Sequence, residues 1–360
     1  MGRAEPRVAL GDNGVVMPLR RPLIPAVTAA LGLTLAPAVL AHGPVSATAP
    51  TLADFILGWR FDPTVWLQAV VALLLWRSGV TRANRNHLTN PVTRTRTALW
   101  TAGVLVVVTA LDSGIEHYDT ALFSVHMVQH MLLTLIAPPL LLLAGPITLV
   151  LQASSAATRQ RWVLPLLHAR IVRTLSHPVV AWVIFAAVMW GTHFSPLFDA
   201  SLENIWIHRA EHGLFITAAL LFWWPAVGTD PSPWRLRAAV RPLYIGLQMP
   251  QNTFLALAVF MSPAPLYNHY VTNIRAWGPT PLEDQQLAGG LMWVGGDMVF
   301  IVAVILLVGS WMRDEHRRAP AEDKRVEAER AAINERAARL AARKAAEAGD
   351  QPSGGTGAAR

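Results

Sequence analysis

The placement of charge constrains this chain more than any single motif does. Only 15% of its 360 residues are Asp, Glu, Lys or Arg, against 53% hydrophobic, and the charges sit in short stretches separated by long, largely uncharged runs. An apolar run of about 18 residues or more is what a helix needs to cross the hydrocarbon core of a bilayer. Eight runs approach that length: residues 23–40, 65–80, 98–111, 125–151, 179–190, 205–227, 243–261 and 287–312. The third and fifth reach it only with their polar ends included. The expected fold is all-α: a polytopic transmembrane helical bundle of seven core spans plus an N-terminal signal-like or anchor segment.

A net charge of +7 invites a nucleic-acid reading, but the basic residues are not gathered on one face. They alternate from loop to loop. Arg20 and Arg21 precede the first run, Arg82, Arg85, Arg94 and Arg96 lie before the third, Arg159, Arg161, Arg170 and Arg173 follow the fourth, and Arg235, Arg237 and Arg241 follow the sixth. The loops between carry Asp54 and Asp62, Glu116 and Asp119, Asp199 and Glu203, then Glu283 and Asp284. That is the positive-inside pattern at every crossing, so the expected partner is the lipid bilayer and no nucleic acid. It implies a multi-pass protein of the bacterial inner (plasma) membrane with a cytoplasmic C-terminus. Residues 1–22 read as a cytoplasmic N-terminal segment, 23–41 as a signal-like or first transmembrane segment, 42–312 as the membrane bundle and 313–360 as a charged cytoplasmic tail. The stretch 159–175, mixed basic and apolar, suits a helix lying on the inner membrane surface.

Imidazoles are the unexpected cargo of such a bundle. On this topology His117, His126, His130, His193, His208 and His212 all fall near the outer, periplasmic ends of four spans. Ionisable groups inside a membrane are costly and usually face a bundle interior, which marks them as functional candidates. His126 and His130 are spaced i, i+4, as are His208 and His212; each pair lies on one helix face with Cβ atoms about 6 Å apart. Two facing pairs make a metal site of up to four nitrogens, with His117 and His193 at its rim. Cysteine is absent, which removes thiolate ligands and disulfides. Imidazole suits copper, zinc and iron, and thioethers tilt the choice toward copper; Met127 and Met131 flank the first pair. Copper is the expected metal, with zinc or haem as alternatives.

Other readings stay open at this level. "HRAEH" at 208–212 matches the H-x-x-E-H pattern in which Glu211 acts as base of a membrane metalloenzyme; Glu211 otherwise orients an imidazole or pairs with Arg209. A haem-binding redox or transport protein would take one histidine from each span. Gln248, Gln251, Asn252 and Asp297 put polar groups near mid-membrane, as a hydrogen-bonded network or an ion path. Pro138 and Pro139 interrupt the fourth run and free backbone carbonyls that protein must satisfy. Gly289, Gly290, Gly295 and Gly296 permit close helix contact, and Trp223 and Trp224 fit an interfacial aromatic belt.

Assembled, these motifs resemble the CtaG family of integral-membrane assembly factors for caa-type cytochrome c oxidase. The likeness rests on "HMVQHMLL" with "APPLLLLAGP", "ENIWIHRAEHGLFITAALLFWWP", and "LYNHY" followed by "WGPTPLEDQQLAGGLMW". The positions that match the pattern are His126, His130, His208, Glu211, His212, Tyr267, Tyr270, Asp284, Gln285 and Trp293. "MWGTHFSPLFD" departs from the family's tryptophan-histidine-leucine-proline run by shifting His193. The resemblance implies a role in maturing the haem-copper oxidase, with oxidase subunits as partners and copper as cargo, in a protein that is an assembly factor rather than an enzyme.

Overall fold

Helix is the only regular structure among the residues that the computed structural model describes, 49–349. The expectations for residues 1–22 and 23–41 lie outside them. The principal helices are α1 (Pro63–Asn86), α2 (Arg94–Asp112), α3 (Phe123–Ala153), α4 (Pro178–His193), α5 (Ile205–Val227), α6 (Val240–Gly246 and Gln248–Phe260) and α7, which begins at Pro281–Gly290 and runs through Leu291–Gly295 into Gly296–Gly349.

Among the described residues, five helices are long and apolar enough to cross a membrane: α1, α2, α3, α5 and α7. A sixth arises if α4 and Leu197–Glu203, which meet at a 68° bend, are taken as one broken span. The seven core spans expected from apolar runs therefore meet two exceptions, each with a physical cause. At 16 residues, α4 is about 24 Å long, short of the roughly 30 Å hydrocarbon core. Pro250 has no N–H to offer the carbonyl of Gly246, and α6 divides at Leu247 beside it.

The same proline chemistry shapes α3. Pro138 and Pro139 lie four and five residues beyond Thr134, so the Thr134 carbonyl can accept neither an α- nor a π-type backbone hydrogen bond. The chain widens into a π-turn at Leu132–Ile136, and the indole Nε1 of Trp223 on α5 donates to the Thr134 oxygen at 2.9 Å. Trp223 is thus a buried bond donor, not a member of an interfacial belt. Farther along, α3 turns at Gly145, whose φ of 74° favours glycine. Arg96 of α2 donates to the carbonyls of Ala144 and Gly145 at 2.6 and 2.8 Å, and Asp230 accepts from Ile147 and Thr148 N–H at 3.0 and 2.8 Å.

Two larger buried apolar clusters fill the middle of the bundle. One, at the histidine-bearing end, centres on Phe123, Phe198, Leu255 and Met292; the other, toward the opposite end, on Phe185, Phe222, Trp223 and Phe300. Two smaller ones, around Trp76 and around Val104, join α1 to α2 and α3. Glycines set how closely α7 approaches its neighbours. A Cβ on Gly289 would stand 2.8 Å from the Phe260 backbone nitrogen, and one on Gly296 2.8 Å from Asn252 Nδ2. Large apolar side chains such as Leu74, Leu105, Leu243, Ile305 and Leu306 point outward, as lipid-facing positions do.

Residues 159–175 do not form one surface helix. Arg159–Val163 runs as a π-turn directly into Leu164–Leu167, the helix stops at His168 and Ala169, and Arg170–Leu175 follows, with Trp162, Leu166 and Ile171 exposed. The charged tail continues α7 without interruption through Pro320 to Gly349.

Replacing Trp223 with Phe should leave the Thr134 carbonyl buried and unsatisfied and cost about 1–3 kcal/mol. The expected reading is a lower Tm of the detergent-solubilised protein. Trp224→Phe, whose indole N–H has no hydrogen-bond partner among the described residues, should shift Tm less.

Candidate metal centre

Two helix N-termini carry the imidazoles, and each is seated by a polar side chain. The first turn of α3 is capped from another helix: Asp284 of α7 accepts from the N–H groups of Phe123 and Ser124 at 2.7 and 3.3 Å and from Ser124 Oγ at 2.5 Å. Arg275 Nη2 stands 3.7 Å from the same carboxylate. Asn204 caps α5 through its side-chain oxygen, 2.9 Å from the N–H of Trp206. One turn inside each terminus the i, i+4 pairs begin.

Within the pairs, ring centroids are 4.1 Å apart for His126 and His130 and 4.2 Å for His208 and His212. Across the helices, His126 stacks on His208 at 5.4 Å and His130 meets His212 edge-on at 5.9 Å. Four imidazoles from α3 and α5 thus form a quartet. His193, at the end of α4, adds a fifth ring 6.4 Å from His130. All five are at most 5% exposed.

Two carboxylates join them. Donor atoms of Asp119, His126 and His208 lie within 4.8 Å of one another, and so do those of His126, His130 and Glu211. Asp119 Oδ2 is 3.6 Å from His208 Nε2. Among the described residues, no hydrogen bond reaches either ring nitrogen of His130 or Nε2 of His193, while the carboxylates of Asp119 and Glu211 lie near the Gln129 and Ser201 side chains respectively. Burying ring nitrogens unbonded is expensive, and nitrogen and oxygen donors converging this way are the chemistry of a metal site. Burial pushes the Asp119 carboxyl up to about 8; a cation placed beside it would displace that proton.

A second layer holds these donors. Tyr270 Oη donates to the Asp119 carbonyl at 2.8 Å and Tyr267 Oη to the His193 carbonyl at 3.1 Å. Arg275 Nη1 donates to the Ala121 carbonyl at 2.7 Å. Phe198, fully buried, lies under the rings at 5.0 Å from His126 and 5.8 Å from His193. Gln129 donates to Glu116 at 2.5 Å and to the Ala110 carbonyl at 2.9 Å.

The residues singled out from sequence divide accordingly. His126, His130, His193, His208, His212 and Glu211 come together, although His193 sits in the run that departs from the family pattern. His117 turns elsewhere, its Nδ1 2.9 Å from Arg60 Nη2. Arg209 pairs with Asp62 at 2.6 Å, leaving Glu211 to face the rings. Met127 is packed in the apolar cluster around Phe123, and Met131 lies where a Cβ on Gly295 would meet its Cε at 2.8 Å. Tyr267 and Asp284 position other groups. Asp297 accepts from Asn252 Nδ2 at 3.1 Å and Thr253 Oγ1 at 2.7 Å. Sequence reasoning assigned Asp119 only to an acidic loop; nothing in its spacing announces that Tyr270 folds it onto His208.

The profile of the cytochrome c oxidase caa3 assembly factor family, Caa3_CtaG, matches residues 72–314. The chain belongs to this family. Every residue of the cluster lies inside the match, and most of the charged tail lies outside it. An uncharacterized protein of Mycobacterium leprae is 31% identical over 282 residues, which is 76% of this chain and 42% of that protein. Uncharacterized proteins of Mycobacterium bovis and Mycobacterium tuberculosis are 31% identical over 287 residues, 78% of this chain and 43% of theirs. The chain thus spans less than half the length of these curated relatives. No solved structure matches it.

Asp284→Ala should uncap α3 beneath the quartet and cost roughly 1–2 kcal/mol in thermal unfolding. Asp284→Asn, which keeps an acceptor, should recover part of that loss.

Proposed function

We propose that the chain assists maturation of a haem-copper cytochrome c oxidase by holding copper in the imidazole quartet and passing it to oxidase subunits. Family membership supports the oxidase as client. The observation that carries the copper reading is the convergence of His126 and His130 with His208 and His212 from a separate helix. Copper is cargo in this reading. Imidazole lone pairs and the carboxylates of Asp119 and Glu211 hold it, and it leaves by ligand exchange, with no bond made or broken except metal–ligand bonds.

The proposal includes seven core spans in a bacterial inner membrane, with α4 and the divided α6 counted as spans and the quartet facing the periplasm. The alternation of Arg-rich and acidic loops supports that orientation. In this setting the buried quartet ends beneath the segments 119–122 and 267–275, the side from which the metal enters.

Local geometry favours a bare ion over haem. The rings of His126 and His208 stack at 5.4 Å, too close for a porphyrin between them, and the cavity bordering His130 and His193 measures about 30 Å³. Glu211 shares a donor group with His126 and His130, which favours a ligand over the base of an H-x-x-E-H hydrolase.

Metal analysis of the detergent-purified full chain tests the reading. His126→Ala with His130→Ala should lose copper from the quartet, and cells carrying it should accumulate oxidase deficient in copper. Glu211→Gln should keep copper with affinity lowered by about 10- to 100-fold. A chain that binds zinc and cleaves peptide, with cleavage abolished by Glu211→Gln, would replace this reading with an enzyme.

A further inference from the structure

Deeper in the bundle than the quartet lies an internal cavity of about 30 Å³, room for one water-sized occupant. Two imidazoles, His130 and His193, and four methionines, Met127, Met131, Met189 and Met292, form part of its wall, beside apolar residues and the neutral polar side chains of Thr134, Gln248, Gln251 and Asn252. The whole chain has ten methionines, so four at so small a space is a concentration. Methionine used as filler adapts to close gaps; here four flexible side chains border a gap that stays open.

The imidazoles are prepared as ligands. His193 Nδ1 lies 2.7 Å from the Met189 carbonyl, and a carbonyl only accepts, so Nδ1 carries the proton and Nε2 keeps its lone pair. That Nε2, like both ring nitrogens of His130, has no hydrogen-bond partner among the described residues. Two π-turns border the cavity. Leu132–Ile136 follows His130 and Met131 directly, and Leu291–Gly295 contains Met292; such turns recur at functional sites. A Cβ on Gly295 would meet the Met131 Cε at 2.8 Å, so the end of the Met131 side chain rests against this glycine.

Charge separates this space from the quartet. Its lining contains no Asp, Glu, Lys or Arg, whereas the quartet is flanked by Asp119 and Glu211. The cost of burying an ion rises steeply with its charge, so neutral imidazole and thioether donors suit a soft monovalent cation and disfavour a divalent one. Asn252, in the wall, hydrogen-bonds Asp297 at 3.1 Å, which places one carboxyl group immediately behind it.

We propose that this cavity is a second metal station, specific for a soft monovalent cation, Cu(I) or its mimic Ag(I), bound by His130, His193 and methionine thioethers. It rests on the reading of the chain as a copper handler and adds the oxidation state and an inward step. The cation arrives already reduced, so the transfer from quartet to cavity is ligand exchange alone, with His130 common to both.

X-ray absorption on the full chain in detergent, loaded anaerobically with Cu(I) and in parallel with Ag(I), tests it. The wild type should show sulfur as well as nitrogen scatterers. Changing Met127, Met131, Met189 and Met292 to Leu should remove the sulfur signal and lower bound Cu(I), while Zn(II) binding at the quartet persists. His126→Ala with His208→Ala should retain sulfur-bound Cu(I). Copper bound by nitrogen alone in the wild type overturns the second station and leaves copper handling by the quartet standing; no copper of either oxidation state in the wild type overturns both. Loss of sulfur-bound Cu(I) in the His126→Ala, His208→Ala variant with helicity intact also overturns an independent station. If the methionine variant fails to fold, the wild-type spectrum still decides.

Discussion

A hydrocarbon environment supplies no hydrogen bonds, and this constraint organises the whole molecule. Several departures from continuous helix are met by a side chain from another element. Trp223 takes the Thr134 carbonyl that two prolines strand. Arg96 takes the carbonyls at the Gly145 turn, and Asp230 the N–H groups just beyond it. Asp112 does the same before α1, accepting from Phe61 and Asp62 N–H at 3.1 and 2.7 Å and from Trp66 Nε1 at 2.6 Å. Beside these pairings, both ring nitrogens of His130 and Nε2 of His193 have no hydrogen-bond partner among the described residues.

Position and chemistry are linked through those capping groups. Asp284 fixes the start of α3, and hence the height of His126 and His130. Tyr270 fixes Asp119, and Tyr267 fixes the end of α4 where His193 sits. The tyrosines and Asp284 that match the family pattern therefore act on the cluster at one remove, as positioning groups. Local π-turns then let α3 and α7 place methionine beside imidazole without breaking either helix. The result is a graded interior, with carboxylates next to the quartet and neutral donors below it.

Family membership covers residues 72–314, the bundle with its cluster. The long exposed helix that extends α7 lies almost wholly beyond that match. Much of each curated relative lies beyond this chain as well.

Helicity and the pairing of histidines one turn apart were legible in the sequence, because apolar run length and the 3.6-residue period are local properties. Local too was the demand of Pro138 and Pro139 for a partner, though not its identity. Run length marked α4 and α6 as apolar but not the 68° bend between α4 and Leu197–Glu203, which depends on how the segments pack; the division of α6 at Leu247 goes back to Pro250, a local feature. What only the tertiary structure decided was which rings meet. His117 and His193 look alike as helix-end histidines, yet one is held by Arg60 and the other joins His130. Asp119 reads as a loop acid until Tyr270 draws its backbone in against His208. Helical period sets which side chains share a face; only packing across helices, through groups more than a hundred residues apart, determines what those faces enclose.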